Sequence, residues 1–219
     1  MAVDSSFTGG SPVAEILEAL ALRRARRAYD RRPVEPDVEE ALWEAVSIAP
    51  SHGNSQPTRV VVARSPERRA ALTGALNEGN QKWAVAAPLL AAVLAVPAHD
   101  FPQTNSDGTV RHMWGFNAGI ATGNLLAQAT AMGLLAHPMA GFDEPAVRAA
   151  LGIPEEIRVL VVVAAGYPGA AESLPEDLRK KEDIPQERIP LTALVTEDSW
   201  HEAQGISARE WRKRLAEGH

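Results

Sequence analysis

Residues 50–57 have the sequence PSHGNSQP, which separates a helical pattern from an apolar run, VVVA, at 60–63. Two prolines and a glycine interrupt helices and strands alike, so the segment is a connection. Four of its side chains can form hydrogen bonds: Ser51, His52, Asn54 and Gln56. They indicate either a turn in which Asn54 and Gln56 bond their own backbone, or a polar cradle for a hydroxylated ligand.

The composition of the chain limits the classes of protein to which it can belong. Of its 219 residues, 45% are hydrophobic and 23% are charged, as in ordinary globular proteins. The net charge of −6 argues against a general affinity for nucleic acid or for an anionic membrane. The sequence contains no cysteine, which excludes a disulfide scaffold, a thiolate metal site and a cysteine nucleophile. A chain without disulfides is compatible with a reducing cytoplasm, and we expect a cytoplasmic protein.

The apolar segments do not resemble targeting or membrane sequences. The first residues, MAVDSSFTGGSP, lack the basic start and apolar core of a secretory signal. The longest apolar run, at 83–98, is interrupted by Pro88 and is shorter than the ~20 residues of a membrane-spanning helix. We therefore expect no membrane association.

Apolar residues at helical spacing predict helices along much of the chain. The predicted helices cover 11–27, beginning at Ser11 and Pro12, and then 36–49, 66–78, 114–134, 144–151 and 207–217. A short strand is predicted at 59–63, a buried strand at 89–96 and a further, strongly apolar strand at 157–166. Turn-rich connections are predicted at 97–113 and 137–143. The helix at 114–134 is apolar nearly all round and should be central. Because no repeat or linker divides the chain, we predict one α+β domain over residues 1–219, with 1–11 flexible.

Common catalytic motifs are absent from the sequence. It has no GxGxxG, no P-loop, no GxSxG and no HExxH, and its six histidines do not pair at metal-ligand spacing. We therefore predict no metal site and no hydrolase triad.

A basic segment stands out in this acidic chain. It contains Arg23, Arg24, Arg26, Arg27, Arg31 and Arg32. Arginines in the last turn of a helix favour the helix dipole, and that is one explanation. The other is recognition of a phosphate by planar, permanently charged guanidinium groups.

The segment HPMAGFD at 137–143 also has two explanations. It can be a turn before a helix capped by Asp143. Alternatively, Gly141 can allow bare backbone to approach a flat ligand closely. Together, the three polar segments supply a phosphate clamp, a ribityl-like cradle and a flat backbone platform, which are the requirements of flavin mononucleotide (FMN).

In these segments the sequence resembles the FMN-dependent nitroreductases. The pieces that carry the resemblance occur in the family's order over roughly residues 20–200: RRARRAYD at 23–30, APSHGNSQPTRVVV at 49–62, GL at 133–134, PMAGFDEPAVRAALGIP at 138–154, VLVVVAAGYP at 159–168 and ERIPLTALV at 187–195. The resemblance implies an α+β, nitroreductase-like fold with a central, mostly antiparallel sheet flanked by helices. It also implies a homodimer with the long central helix at the interface and with FMN sites shared between the two chains.

The resemblance further implies which residues bind FMN. Arg23 and Arg24 match the phosphate and ribityl contacts. Arg27 matches a cation near the flavin N1–C2 carbonyl, which stabilises the reduced ring. Asn80 matches the residue that bonds the pyrimidine edge, and Arg188 matches a C-terminal phosphate contact. The backbone platform beside the ring, with an N–H to flavin N5, corresponds to Pro138, Met139, Ala140 and Gly141. The loop that reaches the FMN of the partner subunit corresponds to Pro50, Ser51, His52, Asn54 and Gln56.

Several positions depart from the family's pattern. They are Ala25 in place of a serine, Thr58 in place of a tryptophan, Ala140 in place of a glutamate of some members, and Gln186 in place of a basic residue. Arg26 or Lys181 could compensate in the phosphate clamp. We expect FMN binding to survive these changes, whereas the substrate preference of a subgroup does not carry over. Four side chains are candidates for the substrate side of the flavin: Trp83, Phe101, His112 and Trp114.

The implied activity is centred on the flavin. NADH or NADPH would deliver a hydride to it and leave, and a nitroaromatic, quinone or similar electron-poor acceptor would then be reduced in the same place. No catalytic side chain of fixed identity is needed, because solvent can supply protons. Two alternatives stay open. One is an FMN-binding protein of this fold without NAD(P)H turnover, for flavin storage or specialised flavin chemistry. The other is a small regulatory or nucleic-acid-binding domain that uses the arginines, which the net charge disfavours.

Overall fold

Strand β2 (Leu89–Ala95) lies in the interior, and each of its seven residues is buried. Its sequence, LLAAVLA, lacks the alternation of a half-exposed strand because helices cover both faces of the sheet. It pairs with β1 (Thr58–Val62) and with β6 (Arg158–Gly166), and β5 (Leu135–Met139) completes the order β1-β2-β6-β5. All three pairings are antiparallel. The predicted α+β fold with a mostly antiparallel sheet is confirmed.

The computed structural model describes residues 15–182 and 184–216. The α-helices are α1 (Glu18–Leu22), α2 (Pro36–Ser47), α3 (Pro66–Gly74), α4 (Glu78–Ala84), α5 (Trp114–Ala131), α6 (Glu144–Leu151), α7 (Glu176–Glu182), α8 (Leu191–Leu194) and α9 (Ala208–Ala216). Two short strands, β3 (Gln103–Thr104) and β4 (Val110–Arg111), pair as a hairpin. Of the helices in the described ranges, none combines the length and the apolar character needed to cross a membrane.

The chain falls into two compact units, one that ends at Glu182 and one that begins at Asp183. The first contains the sheet, and the second contains α8 and α9. The interpretation of residues 1–219 as one domain stays a prediction. The predicted flexibility of 1–11 concerns residues outside the described ranges.

The side chains of β2 and β6 alternate between two hydrophobic clusters, one on each face of the sheet. The first cluster includes Leu72, Trp83, Leu90, Val147 and Val162. The second includes Leu42, Leu89, Val93, Leu125 and Val163. Helices α3, α4 and α6 therefore cover one face, and α2 and α5 cover the other.

The helix predicted over 11–27 is wrong at its C-terminal end. Helix α1 ends at Leu22, and Arg23 is extended, with a ψ of 127°. Two hydrogen bonds of 2.9 Å hold the following residues to the chain after β6: Asp30 N–H to the Tyr167 carbonyl, and Gly169 N–H to the Ala28 carbonyl. This distant pairing outweighs the local helical spacing. The arginines therefore do not lie in the last turn of a helix, and the predicted helix start lies outside the described residues.

Two further element predictions are corrected. The helix predicted at 66–78 ends at Gly74. A separate helix, α4, begins at Glu78, where the Asn77 side chain caps it by accepting a hydrogen bond from the Asn80 N–H at 2.9 Å. The segment at 137–143, predicted as a turn-rich connection, begins within strand β5. Pro138 is tolerated there because β5 is an edge strand, where one missing N–H costs little.

Candidate functional site

The end of β5, helix α4 and the extended segment at 23–30 meet at one edge of the sheet. The Asn80 Nδ2 donates to the Gly141 carbonyl at 3.3 Å, and the Asn77 N–H donates to the same oxygen at 2.9 Å. The His137 Nδ1 lies 3.1 Å from the Arg26 carbonyl, which can only accept, so this nitrogen carries the proton. The structure thus brings the predicted residues of 23–27, Asn80 and 138–141 to one edge.

An ion pair with the buried carboxylate of Glu182 holds Arg27 in this group. The Arg27 backbone N–H lies 3.2 Å and 3.1 Å from the two carboxylate oxygens of Glu182, and Arg27 Nη1 lies 3.1 Å from Glu182 Oε1. The Glu182 side chain is 1% exposed and that of Arg27 is 23% exposed. Glu182 engages one of the five N–H donors of a guanidinium, so the Arg27 side chain keeps donors for a ligand.

Three rings pack beneath this edge. The ring centroids of Tyr29 and Trp83 are 6.1 Å apart, and those of Trp83 and His137 are 4.5 Å apart. Burial raises the pKa of Tyr29 far above its usual range, and its hydroxyl donates to the Ala164 carbonyl at 3.0 Å. Burial also lowers the pKa of His137, so both side chains are neutral at pH 7. Trp83 is 2% exposed and belongs to the core. The prediction that its ring lies on the substrate side of the flavin is therefore wrong.

Arg23 and Arg24 lie half-buried on the same extended segment. The Arg24 Nη1 donates to the carbonyls of Ala21 and Arg23, at 2.8 Å and 2.9 Å. Arg188 belongs to the second unit, where its Nη2 donates to Gln186 Oε1 at 2.6 Å. The role of Arg188 as a phosphate contact stays a prediction.

The 50–57 connection is held by its own polar groups. Ser51 Oγ accepts from the Gln56 N–H at 2.9 Å, and Gln56 Nε2 donates to Asn54 Oδ1 at 3.1 Å. Gly53, Asn54 and Gln56 have positive φ angles of 58°, 54° and 44°. Asparagine adopts this region of backbone space more readily than other residues with a side chain, whereas glutamine is uncommon there, and local hydrogen bonds offset its strain. The loop is therefore a self-bonded turn that still presents polar edges.

Asn117 of α5 anchors this loop to the helix. Its Oδ1 accepts from the His52 N–H at 3.0 Å, and His52 Nε2 lies 3.0 Å from Gln103 Nε2. In the described part of the chain, Asn117 Nδ2 is buried without a hydrogen-bond partner. A cleft of about 270 Å³ opens beside it, lined by Trp43, Val46, Ser47, Ala49, Pro50, Ser51, Gln56, Thr58, Arg59, Val60, Asn117 and Ala121.

Within one chain, the predicted cofactor residues lie at opposite edges of the sheet. The 50–57 loop precedes β1, whereas Pro138 and Met139 lie on β5, and β2 and β6 separate these two strands. Three strand spacings of about 4.8 Å amount to roughly 14 Å. The structure therefore assembles the group around Arg27 and Asn80 in one place and the loop in another.

Sequence reasoning missed three residues of these groups. Glu182 lies in a charged tail, where a buried carboxylate leaves no local signal. His137 belongs to a segment in which only Pro138, Met139, Ala140 and Gly141 were predicted to contact a ligand. Asn117 lies in a mostly apolar helix that also carries Asn124 and Gln128, so its residue type alone does not distinguish it. The remaining substrate-side candidates are Phe101, His112 and Trp114, and their role stays a prediction.

Comparison with known proteins identifies the family. A model of the nitroreductase family matches residues 20–167, more than half of the chain. The chain belongs to the nitroreductase family. An NADH dehydrogenase of Thermus thermophilus is 29% identical to this nitroreductase-family chain over 208 residues, which are 84% of this chain and 96% of the relative. A Burkholderia lata protein, provisionally named an NADH dehydrogenase/NAD(P)H nitroreductase, is 30% identical over 169 residues, 71% of this chain and 87% of the relative.

Solved structures agree with this family fold. An oxidoreductase containing FMN superposes with a TM-score of 0.74 at 29% identity and covers 92% of this chain and 99% of its own. A nitroreductase family protein from Clostridium difficile 630 superposes with a TM-score of 0.69 at 25% identity and covers 85% and 99%. The nitroreductase-like fold predicted from the sequence is confirmed.

Proposed function

We infer that this chain binds FMN and works as an FMN-dependent NAD(P)H oxidoreductase. The observation that carries the inference is the group at the β5 edge, where the Arg27 guanidinium, the Asn80 amide and the backbone at 138–141 lie together. The names of the relatives, NADH dehydrogenase and NAD(P)H nitroreductase, and the FMN-containing structural neighbour support the same conclusion.

The donor set fits a flavin mononucleotide. Arg23 and Arg24 supply cations for a phosphate, and the Asn80 amide can both donate to and accept from a pyrimidine edge. Gly141 leaves the backbone platform uncovered by a side chain. A Cβ at this position would lie 2.1 Å from Asn77 Nδ2, so the chain tolerates only glycine without rearrangement.

Bound FMN would supply the redox chemistry, taking a hydride from NADH or NADPH and passing it to a nitroaromatic, quinone or similar electron-poor acceptor in ping-pong order. The residues of the chain would bind and orient the FMN. Arg27 would stabilise negative charge at the N1–C2 carbonyl. Asn80 would hold the pyrimidine edge, and the N–H groups that follow Met139 would face N5. Solvent supplies the protons, so no side chain needs to move one.

The proposal includes a cytoplasmic homodimer with sites shared between the chains. The loop at 50–57 and the Arg27 group lie at opposite edges of the sheet, so one site can combine them only if the loop comes from a second chain. Large apolar side chains are exposed near the paired helices α2 and α5, namely Ile48 at 73% and Phe116 at 61%. A partner chain would cover them.

The visible absorption spectrum of the purified protein tests this function. We expect a yellow protein that loses its flavin absorbance without oxygen when NADPH or NADH is added. A yellow protein that neither nicotinamide bleaches would indicate an FMN-binding protein without NAD(P)H turnover. A colourless protein that does not take up added FMN would contradict the proposal.

A further inference from the structure

We propose that Glu182 is a positioning residue that sets the reduction potential of the bound flavin by acting through Arg27. The proposal rests on the function inferred above, in which Arg27 faces the flavin N1–C2 carbonyl. It adds a residue from the end of α7 that lies 155 positions away from Arg27 in the chain.

Glu182 forms hydrogen bonds with both the backbone and the guanidinium group of Arg27. One carboxylate accepts from the Arg27 backbone N–H, at 3.2 Å and 3.1 Å, and from its guanidinium Nη1, at 3.1 Å. A long arginine side chain normally has many rotamers, and an anchor at its tip selects one of them. Glu182 therefore determines where the positive charge of Arg27 lies.

Among the side chains of Arg27, Glu182, Tyr29 and His137, only Arg27 and Glu182 carry a charge, and the two charges are opposite. Tyr29 and His137, which interact electrostatically with Arg27 and Glu182, are neutral at pH 7 because of their burial. Glu182 is 1% exposed, so water screens its charge poorly. Its negative charge, 3.1 Å from the guanidinium, cancels part of the field that Arg27 exerts on a ligand.

A buried carboxylate is costly to keep, and positioning alone would not require its charge. A neutral acceptor could also hold the Arg27 N–H groups. The charge instead limits how strongly the reduced flavin, which carries more negative charge than the oxidised form, is favoured. Removing the charge while keeping the acceptor should therefore make the flavin easier to reduce.

The test is the midpoint potential of bound FMN, measured by spectroelectrochemistry on the full-length protein. In Glu182→Gln, we expect reduced FMN to gain about tenfold in binding relative to oxidised FMN, which raises a two-electron potential by about 30 mV. In Glu182→Ala, the anchor is lost as well, and the potential should fall below that of Glu182→Gln. In an Arg27→Gln background, Glu182→Gln should shift the potential by less than a third as much, because the effect runs through Arg27.

Glu39→Gln is the matched control. Glu39 is also a buried carboxylate, bonded to Arg64 and to Trp43 Nε1, but it lies on α2 outside the group at the β5 edge. Its substitution should leave the potential unchanged. If Glu182→Gln does not fold, Glu182→Asp is the alternative. Its side chain is shorter by one methylene group, so the carboxylate lies farther from Arg27, and the potential should rise by less than the roughly 30 mV expected of Glu182→Gln.

The outcomes separate this inference from the proposed function. A wild-type protein that binds no FMN would overturn both. If the wild type binds FMN and Glu182→Gln has the same midpoint potential as the wild type, only the role of Glu182 is overturned. If Glu182→Gln shifts the potential equally with and without Arg27, Glu182 does not act through Arg27. If Glu182→Gln and Glu182→Ala have equal potentials, Glu182 does not position the Arg27 side chain.

Discussion

Gly141 and Asn77 are in such close contact that a Cβ at position 141 would lie 2.1 Å from Asn77 Nδ2. The same two residues are joined by a backbone hydrogen bond of 2.9 Å, from the Asn77 N–H to the Gly141 carbonyl. The Asn77 side chain also caps α4, so it cannot move aside without losing that cap. The contact locks the end of β5 to the start of the helix that carries Asn80.

This contact predicts the effect of Gly141→Ala. The added methyl group overpacks the junction, and we expect the free energy of unfolding to fall by about 1–3 kcal/mol. Chemical denaturation measures the loss, and fluorescence titration should show weaker FMN binding. Gly74→Ala is the control, because a Cβ there meets nothing within 4 Å at the end of α3. It should leave stability unchanged or raise it by up to about 1 kcal/mol. If Gly141→Ala leaves the free energy of unfolding unchanged, the packing argument is contradicted.

Arg27→Ala should weaken FMN retention and lower the reduction potential of the bound flavin. The physical reason is the loss of the positive charge opposite the reduced ring. Gel filtration followed by absorbance gives retention, and spectroelectrochemistry gives the potential. Arg31→Ala removes an exposed cation of the same segment and should change neither. Full flavin occupancy with an unaltered potential in Arg27→Ala would show that Arg27 does not face the ring.

Mixed dimers test whether the FMN site is shared. One subunit carries Arg27→Ala and the other carries Asn54→Ala, so each homodimer is defective in both of its sites. If the loop of one chain completes the Arg27 group of the other, the mixed dimer has one intact site and one doubly defective site. We expect it to bind close to half of the FMN of the wild type, as measured on affinity-purified mixed dimers. Binding no better than that of the two homodimers would place each site within a single chain.

The Glu39 carboxylate should contribute to acid stability. Burial raises its pKa, but hydrogen bonds from Arg64 and Trp43 and the Arg64 charge outweigh burial, so its pKa lies below the usual 4.5. A lowered carboxyl pKa stabilises the folded state above pH 4.5, and this contribution is lost as the pH falls through the folded-state pKa.

Substitution of Glu39 checks this expectation. Glu39→Gln should lower the free energy of unfolding at pH 7 by roughly 1–2 kcal/mol, and stability should then fall less steeply below pH 4.5 than in the wild type. Urea denaturation at several pH values gives both quantities. Glu40→Gln, on the exposed part of the same helix, should keep the wild-type profile. A Glu39→Gln profile parallel to that of the wild type would rule out this role.

Local sequence patterns predicted the parts of the fold whose cause is local. The continuous apolar run at β2 predicted a buried strand, and the run at β6 predicted a strand. Pro36 and Asp143 marked the starts of α2 and α6. Patterns failed where a distant partner decides the conformation. The helical spacing before Arg23 did not continue as a helix, because the chain there pairs with residues 167–169.

The sequence by itself therefore determined the class of the fold, the family resemblance and the chemical types of side chain available for a flavin. These features depend on residue identity and on spacing over one or two turns. Only the tertiary structure placed Glu182 against Arg27 and separated the 50–57 loop from the Arg27 group by the width of the sheet. Such relationships join residues that are far apart in the chain, and the free energy of pairing and burial that creates them leaves no periodic trace in the sequence.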